Sequence, residues 1–194
     1  MSSTLLKYRE ALPSDSAEIS RLVKVYVDDE EFLSYLRYCL EGTAYGSSLG
    51  FVAETEEGKL AGFTLFREGL HFTEERNDYF DIIRRDAGSG KIWSSVIVVT
   101  DEKSMRRGLG LELFSKTADR LKEKGVNCVL MEIWVRSTGW KPAWGLVRKY
   151  PWKTLKVYGT VRNFYSEAPG RENYICHVCG HPCRCSVEVT VGTF

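Results

Sequence analysis

A chain of 194 residues is the size of one domain, or of one domain with a small appendage. Its 43% hydrophobic and 27% charged residues exclude wholesale disorder, and no apolar run reaches the length of a membrane span. The formal net charge of +1 hides a division. Residues 1–90 carry ten Lys/Arg against seventeen Asp/Glu, and residues 91–194 carry seventeen against nine. Such asymmetry predicts either one surface for cations and one for anions, or two solvated faces. Met1 to Leu6 lacks the basic patch and long apolar core of a secretory leader, so the expected compartment is the cytoplasm.

Leu5 to Leu12 reads as a first strand. Pro13-Ser14-Asp15 opens a helix with Ile19, Leu22, Val23 and Tyr26 at helical spacing. A second helix is predicted from about Glu30 to Leu40, after an acidic corner of Asp28 to Glu31. Gly50–Glu54 and Leu60–Phe66 form a hairpin turned at Glu57-Gly58. The stretch 67–90 reads as an inserted helix, capped by Thr73 with Glu74 and Glu75 behind it and closed by Gly88-Ser89-Gly90. Ile92 to Val99 is a β-branched strand. Leu109, Leu113, Ala118 and Leu121 mark an amphipathic helix that ends near Gly125. A strand over Asn127–Val135, a short helix over Lys141–Tyr150 and a last sheet strand over Leu155–Val161 complete the series. The class is mixed α/β, with helices flanking a partly antiparallel sheet. Cys39 and Cys128, alone in apolar surroundings, read as core fillers.

The segment Val96 to Gly110 is the most informative. A buried strand feeds a basic, glycine-bearing turn that opens an amphipathic helix. The unpaired N–H groups of a helix start, with its dipole, suit a phosphate. Gly108 and Gly110 let an anion reach the main chain, and Arg106 and Arg107 add charge. The dinucleotide fingerprint is absent, because the third glycine is missing.

This arrangement resembles the GCN5-related N-acetyltransferase (GNAT) superfamily over roughly residues 5–165. The resemblance implies a GNAT-like acyl-CoA N-acyltransferase fold with acetyl-CoA as co-substrate. In that family a loop of the type Arg/Gln-x-x-Gly-x-Gly/Ala holds the pyrophosphate through its amides. Met105, Arg106, Arg107, Gly108, Leu109 and Gly110 occupy it here, with Met105 in place of Arg or Gln. Val98 and Val99 match the strand end whose main chain meets pantetheine. Of the later Asn-x-x-Ala…Tyr…Gly-Phe pattern, Ala143 fits and Pro151-Trp152 replaces Gly-Phe. Val147 stands where the family places the tyrosine that protonates the leaving thiolate. Tyr150, one turn on, is either the substitute donor or a packing group. For the base, the resemblance points to a carboxylate: Glu132, or the corner Asp28 to Glu31. The implied acceptor is an amine, on a small molecule or a protein, and a homodimer is left open.

Two features lie outside this pattern. Between Ile133 and Ser166 there is no acidic residue, while basic and aromatic side chains alternate from Trp134 to Tyr165. That composition fits core packing with solvated lysines, the 3′-phosphate of CoA, or single-stranded nucleic acid, the last not favoured. Beyond Pro169-Gly170 the chain turns Cys-rich. Cys176, Cys179, Cys183 and Cys185 crowd into a Cys-x-x-Cys-Gly knuckle and its continuation, which predicts a structural Zn²⁺ site, His177 or His181 being alternative ligands. The expected domains are therefore 1–168, the acetyltransferase-like unit, and 169–194, a zinc-binding tail. The alternative function is a catalytically degenerate GNAT-fold protein that binds nucleic acid or protein.

Overall fold

The computed structural model describes residues 5–27, 29–69, 79–105, 107–139, 141–163, 176 and 179–194. They fall into two compact units, residues 1–69 with 94–125 and residues 70–93 with 126–194. Among the described residues, no helix is long and apolar enough to cross a membrane. The expected boundary near residue 168 and the expected Thr73 cap lie outside the described residues.

In the first unit, β1 (Leu6–Glu10), β2 (Ser48–Thr55), β3 (Leu60–Glu68) and β4 (Ile92–Thr100) lie in that order, β1–β2 and β2–β3 antiparallel. The β2–β3 turn forms where predicted, with Gly58 at φ 78° and the Thr55 N–H donating to Lys59 O at 2.8 Å. Helices α1 (Ser16–Lys24) and α2 (Glu30–Glu41) cover one face through Ile19, Leu22, Leu33 and Leu36, packed with Val52, Phe63 and Leu65. Helix α4 (Leu109–Glu123) packs Leu109 and Leu113 against Ala53 and Ala61. At Gly62 a Cβ would lie 2.8 Å from the Leu113 side chain and 3.2 Å from that of Leu109, so a larger residue here would have to displace both.

The corner from β1 into α1 is held by charge. Arg9 grips Asp15 with two 2.8 Å hydrogen bonds and Glu54 with a third at 3.0 Å. Burial alone would raise the Asp15 carboxyl, but the Arg9 fork and the Leu12 N–H outweigh it and hold it below its ordinary value. A depressed folded value adds stability above the unfolded pKa of about 3.9, and that stability is lost as pH falls through the folded value. Asp15→Asn should therefore cost about 1–2 kcal/mol at pH 7. The gap to the parent should close on acidification, as followed by denaturant unfolding. A gap unchanged between neutral and acid pH would contradict this account.

In the second unit, β5 (Cys128–Val135), β7 (Ser186–Thr193) and β6 (Thr154–Val161) pair antiparallel, with β7 in the middle. This corrects the reading of Val161 as the end of the sheet. Val187, Val189 and Val191 alternate with Glu188, Thr190 and Gly192, a period-two pattern that makes a strand, buried on both faces. The valine face meets Phe80 and Ile83 of α3 (Phe80–Ala87). The other face meets Trp152, whose indole occupies the place of a Gly192 side chain, and Lys141, which donates to Glu188. The short helix α5 is confined to Trp144–Val147. Cys39 and Cys128 are buried core fillers as expected, and burial pushes the Cys128 thiol up to about 11.

Candidate functional site

The β4–α4 junction is built from both ends. At the end of β4, the Tyr26 hydroxyl donates to Thr100 O at 3.0 Å and the Asp101 N–H donates to Ala61 O at 2.9 Å. The Asp101 carboxylate accepts the Ser104 N–H at 2.7 Å, which winds Glu102–Ser104 into a 3-10 turn. At the other end, Gly108 is the N-cap of α4 with φ 85°, a left-handed conformation that L side chains adopt at a cost. Its carbonyl accepts the Glu112 N–H at 3.0 Å, so the helix starts at Leu109. The Glu112 carboxylate accepts the Tyr8 hydroxyl at 2.6 Å, which holds it toward β1.

The predicted loop residues divide by role. Leu109 is buried against the sheet, so its side chain anchors α4 and only its amide is left for a ligand. Among the described residues, nothing beyond its chain neighbours lies within 4 Å of where a Gly108 Cβ would stand. Met105 and Arg107 are exposed; Arg106 lies outside the described residues. Val99 is buried in the α1–α2 core, whereas Ser95 to Val98 form a run of half-buried positions in β4. Of that run sequence reasoning named only Val98, since β-branched residues look the same in a buried strand and in a partly open one.

The acidic corner has local duties. The Asp29 carboxylate accepts the Glu31 and Phe32 N–H groups and caps α2, and Glu30 pairs with Lys24 at 3.0 Å. Asp28 lies outside the described residues. In the second unit Glu132 sits half-buried on β5. Tyr150 is buried, its ring centroid 4.5 Å from that of Trp152 and 6.1 Å from that of Phe194.

Described residues of the basic–aromatic stretch are engaged within the fold. Arg148 lies 4.3 Å over the Trp144 ring, Arg136 lies 5.0 Å over Trp134, and Lys156 pairs with Asp86 at 2.6 Å. Trp144 and Tyr150 are core side chains. They offer no open stacking platform of the kind single-stranded nucleic acid needs.

The four clustered cysteines converge. Their sulfurs all lie within 4.8 Å of one another, with Cys179 Sγ 3.7 Å from those of Cys183 and Cys185, and Cys176 Sγ 3.9 Å from that of Cys185. Gly180, at φ 73°, turns the chain, and it exchanges backbone hydrogen bonds with Cys176. The Arg184 N–H donates to Cys179 Sγ at 3.3 Å. Burial acts to raise the Cys179 thiol, but this bond and the neighbouring thiols bring it down to about 7. His181 is not among the converging ligands, and His177 lies outside the described residues.

No family model matches the chain, and no curated protein matches it. Solved structures do. An Arabidopsis thaliana NAA60 in complex with acetyl-CoA superposes with a TM-score of 0.67 at 15% identity, over 98% of this chain and 99% of that one. A ribosomal-protein-alanine N-acetyltransferase from Brucella melitensis gives 0.63 at 13% identity, over 97% and 99%. An acetyltransferase of the GNAT family from Streptococcus pneumoniae gives 0.61 at 16% identity, over 98% and 100%. Identities this low carry fold alone. The chain has the mixed α/β fold of the GNAT acetyltransferases.

Proposed function

We propose that the protein is an N-acetyltransferase that moves an acetyl group from acetyl-CoA to a primary amine. The β4–α4 junction carries this reading. A left-handed glycine caps a fifteen-residue helix, and the space where a Gly108 side chain would stand is open among the described residues. Such a helix start attracts a pyrophosphate through its N–H groups and dipole. Amides from Met105 to Gly110 would hold that group, and the half-buried main chain of β4 near Val98 and Val99 would accompany the pantetheine. Mass spectrometry of the native protein tests this most directly, by the presence or absence of co-purified CoA.

In the reaction the amine nitrogen bonds to the thioester carbon, the carbon–sulfur bond breaks, one amine proton passes to a base and the sulfur takes up a proton. Little covalent help is needed beyond orientation and proton transfer. The bound thioester supplies the activated acetyl group. Glu132 is the proposed base, the carboxylate role that the family resemblance implies. The acceptor in this scheme is an amine on a small molecule or a protein. The four-cysteine cluster takes no part, since a closed four-sulfur site has no open position for a substrate.

Glu132→Gln is expected to lower kcat about a hundredfold with little change in acetyl-CoA affinity. Tyr150→Phe keeps the ring among Trp152 and Phe194 and is expected to retain most of the activity. A large kcat loss in Tyr150→Phe would instead make this hydroxyl the proton donor to sulfur, and an unaffected Glu132→Gln would remove Glu132 from the scheme.

A further inference from the structure

We propose that Cys176, Cys179, Cys183 and Cys185 bind one Zn²⁺ as thiolates, and that this ion is the latch that brings β7 into the sheet of the second unit. A tetrahedron with metal–sulfur bonds of about 2.3 Å has edges of about 3.8 Å. Three of the six sulfur separations, 3.7, 3.7 and 3.9 Å, match such edges, and all six lie within 4.8 Å. Four soft ligands in tetrahedral array select zinc, or iron in a sulfur site. The Arg184 N–H directed at Cys179 Sγ is an outer-sphere bond of the kind that neutralises thiolate charge around a metal. Cys176, Cys183 and Cys185 are buried beside Trp134 of β5, so the centre is packed onto the sheet.

The position of the cluster in the chain decides what the ion does. Strand β6 ends at Val161 and β7 begins at Ser186, so the connection 162–185 must close before β7 can pair with β5 on one side and β6 on the other. Closing a long connection costs entropy, and a metal clip at its end reduces what remains to be closed. Cys185 immediately precedes Ser186, which pairs with Val135, the neighbour of Trp134. The ion therefore fixes the first residue of β7 against the end of β5.

Register matters here more than in most strands, because both faces of β7 are buried. A slip of one residue would turn Glu188 and Thr190 onto the α3 face and drive Val189 and Val191 toward Lys141 and Trp152. Zinc at Cys185 sets the register from which Glu188 meets Lys141 and Gly192 meets Trp152. The cysteine cluster is thus part of the sheet's construction, and not a separate appendage.

The test uses the full chain, purified under reducing conditions, and no acetyl-CoA, so its outcome is independent of the proposed activity. Elemental analysis should find one zinc per chain. Replacement by Co²⁺ should give the intense visible bands of a tetrahedral cobalt–thiolate site. Chelation should strip hydrogen-exchange protection from Val187–Gly192 and from its partners in β5 and β6, while β2 and β3 keep theirs; added Zn²⁺ should restore it. Cys183→Ser should show the same selective loss, and if that variant does not fold, the chelation and re-addition series on the parent decides alone. Absence of stoichiometric zinc, or iron in its place, would overturn the metal assignment. Stoichiometric zinc whose removal leaves β7 protected would overturn the latch.

Discussion

Gly108→Asp is expected to abolish acetyl-CoA binding in isothermal calorimetry while leaving the protein folded. The backbone at Gly108 has φ 85°, so any Cβ there carries a strain of about 1–2 kcal/mol, least for Asp and Asn. Asp is also a favoured N-cap, and its charge suits the helix dipole, which offsets part of that strain. The variant's stability should therefore stay near that of the parent. Binding is a different matter. The new carboxylate would occupy the open space beside Gly108 and satisfy the amides a pyrophosphate needs. Two like charges about 4 Å apart repel by about 4 kcal/mol at a surface-like effective dielectric, which is close to a thousandfold in affinity. Gly108→Ala separates the causes, since it brings the strain without the charge and should lose far less affinity. Parent-like binding by the Asp variant would show that the ligand lies elsewhere, and Glu132 would then have no thioester to serve.

The parts of this architecture that could be read in the sequence are those governed by local rules. The Glu57-Gly58 turn and the helical spacing of Leu109, Leu113, Ala118 and Leu121 in α4 depend on neighbours within a few residues, and each formed where its pattern lies. The glycine-bearing turn between β4 and α4 was legible for the same reason, because a strand-to-helix turn is a local object. β7 was also written locally, in the alternation of Val187, Val189 and Val191 with Glu188 and Thr190, but the cysteine-rich composition just before it drew attention away from that pattern. Other features had no local trace. The contact of Gly62 with Leu113 joins residues fifty-one positions apart along the chain, and nothing around Gly62 announces which helix needs its missing side chain. The convergence of four sulfurs was suggested by spacing, yet its attachment to Trp134 depends on the pairing of β5 with β7. The packing of Tyr150 against Trp152 and Phe194 likewise needed the fold, since a tyrosine one turn beyond a missing catalytic tyrosine looks the same in sequence whether it reacts or packs.

The largest expected effect on stability falls on Lys141. Its ammonium is the hydrogen-bond donor to Glu188 Oε2, and it also lies 5.5 Å over the Trp144 ring. The Glu188 side chain is only 8% exposed, and its Oε1 has no hydrogen-bond partner among the described residues. Lys141→Met would leave this carboxylate in the sheet without its counter-charge. Stranding one member of a fully buried pair costs about 3–5 kcal/mol. Lys141 is 31% exposed, so water can partly replace it, and about 2–3 kcal/mol is expected. For a chain of this size that lowers Tm by about 5–10 °C. Glu188→Met should cost less, because the freed ammonium can turn to solvent on its flexible stem. The double substitution should recover part of the loss of Lys141→Met, since no charge then remains buried and the two thioethers fill the space. Thermal unfolding of the three variants with zinc present orders them. If Lys141→Met is the mildest of the three, the ion pair does not hold β7 in place, and the burial of Glu188 must be met by some other group.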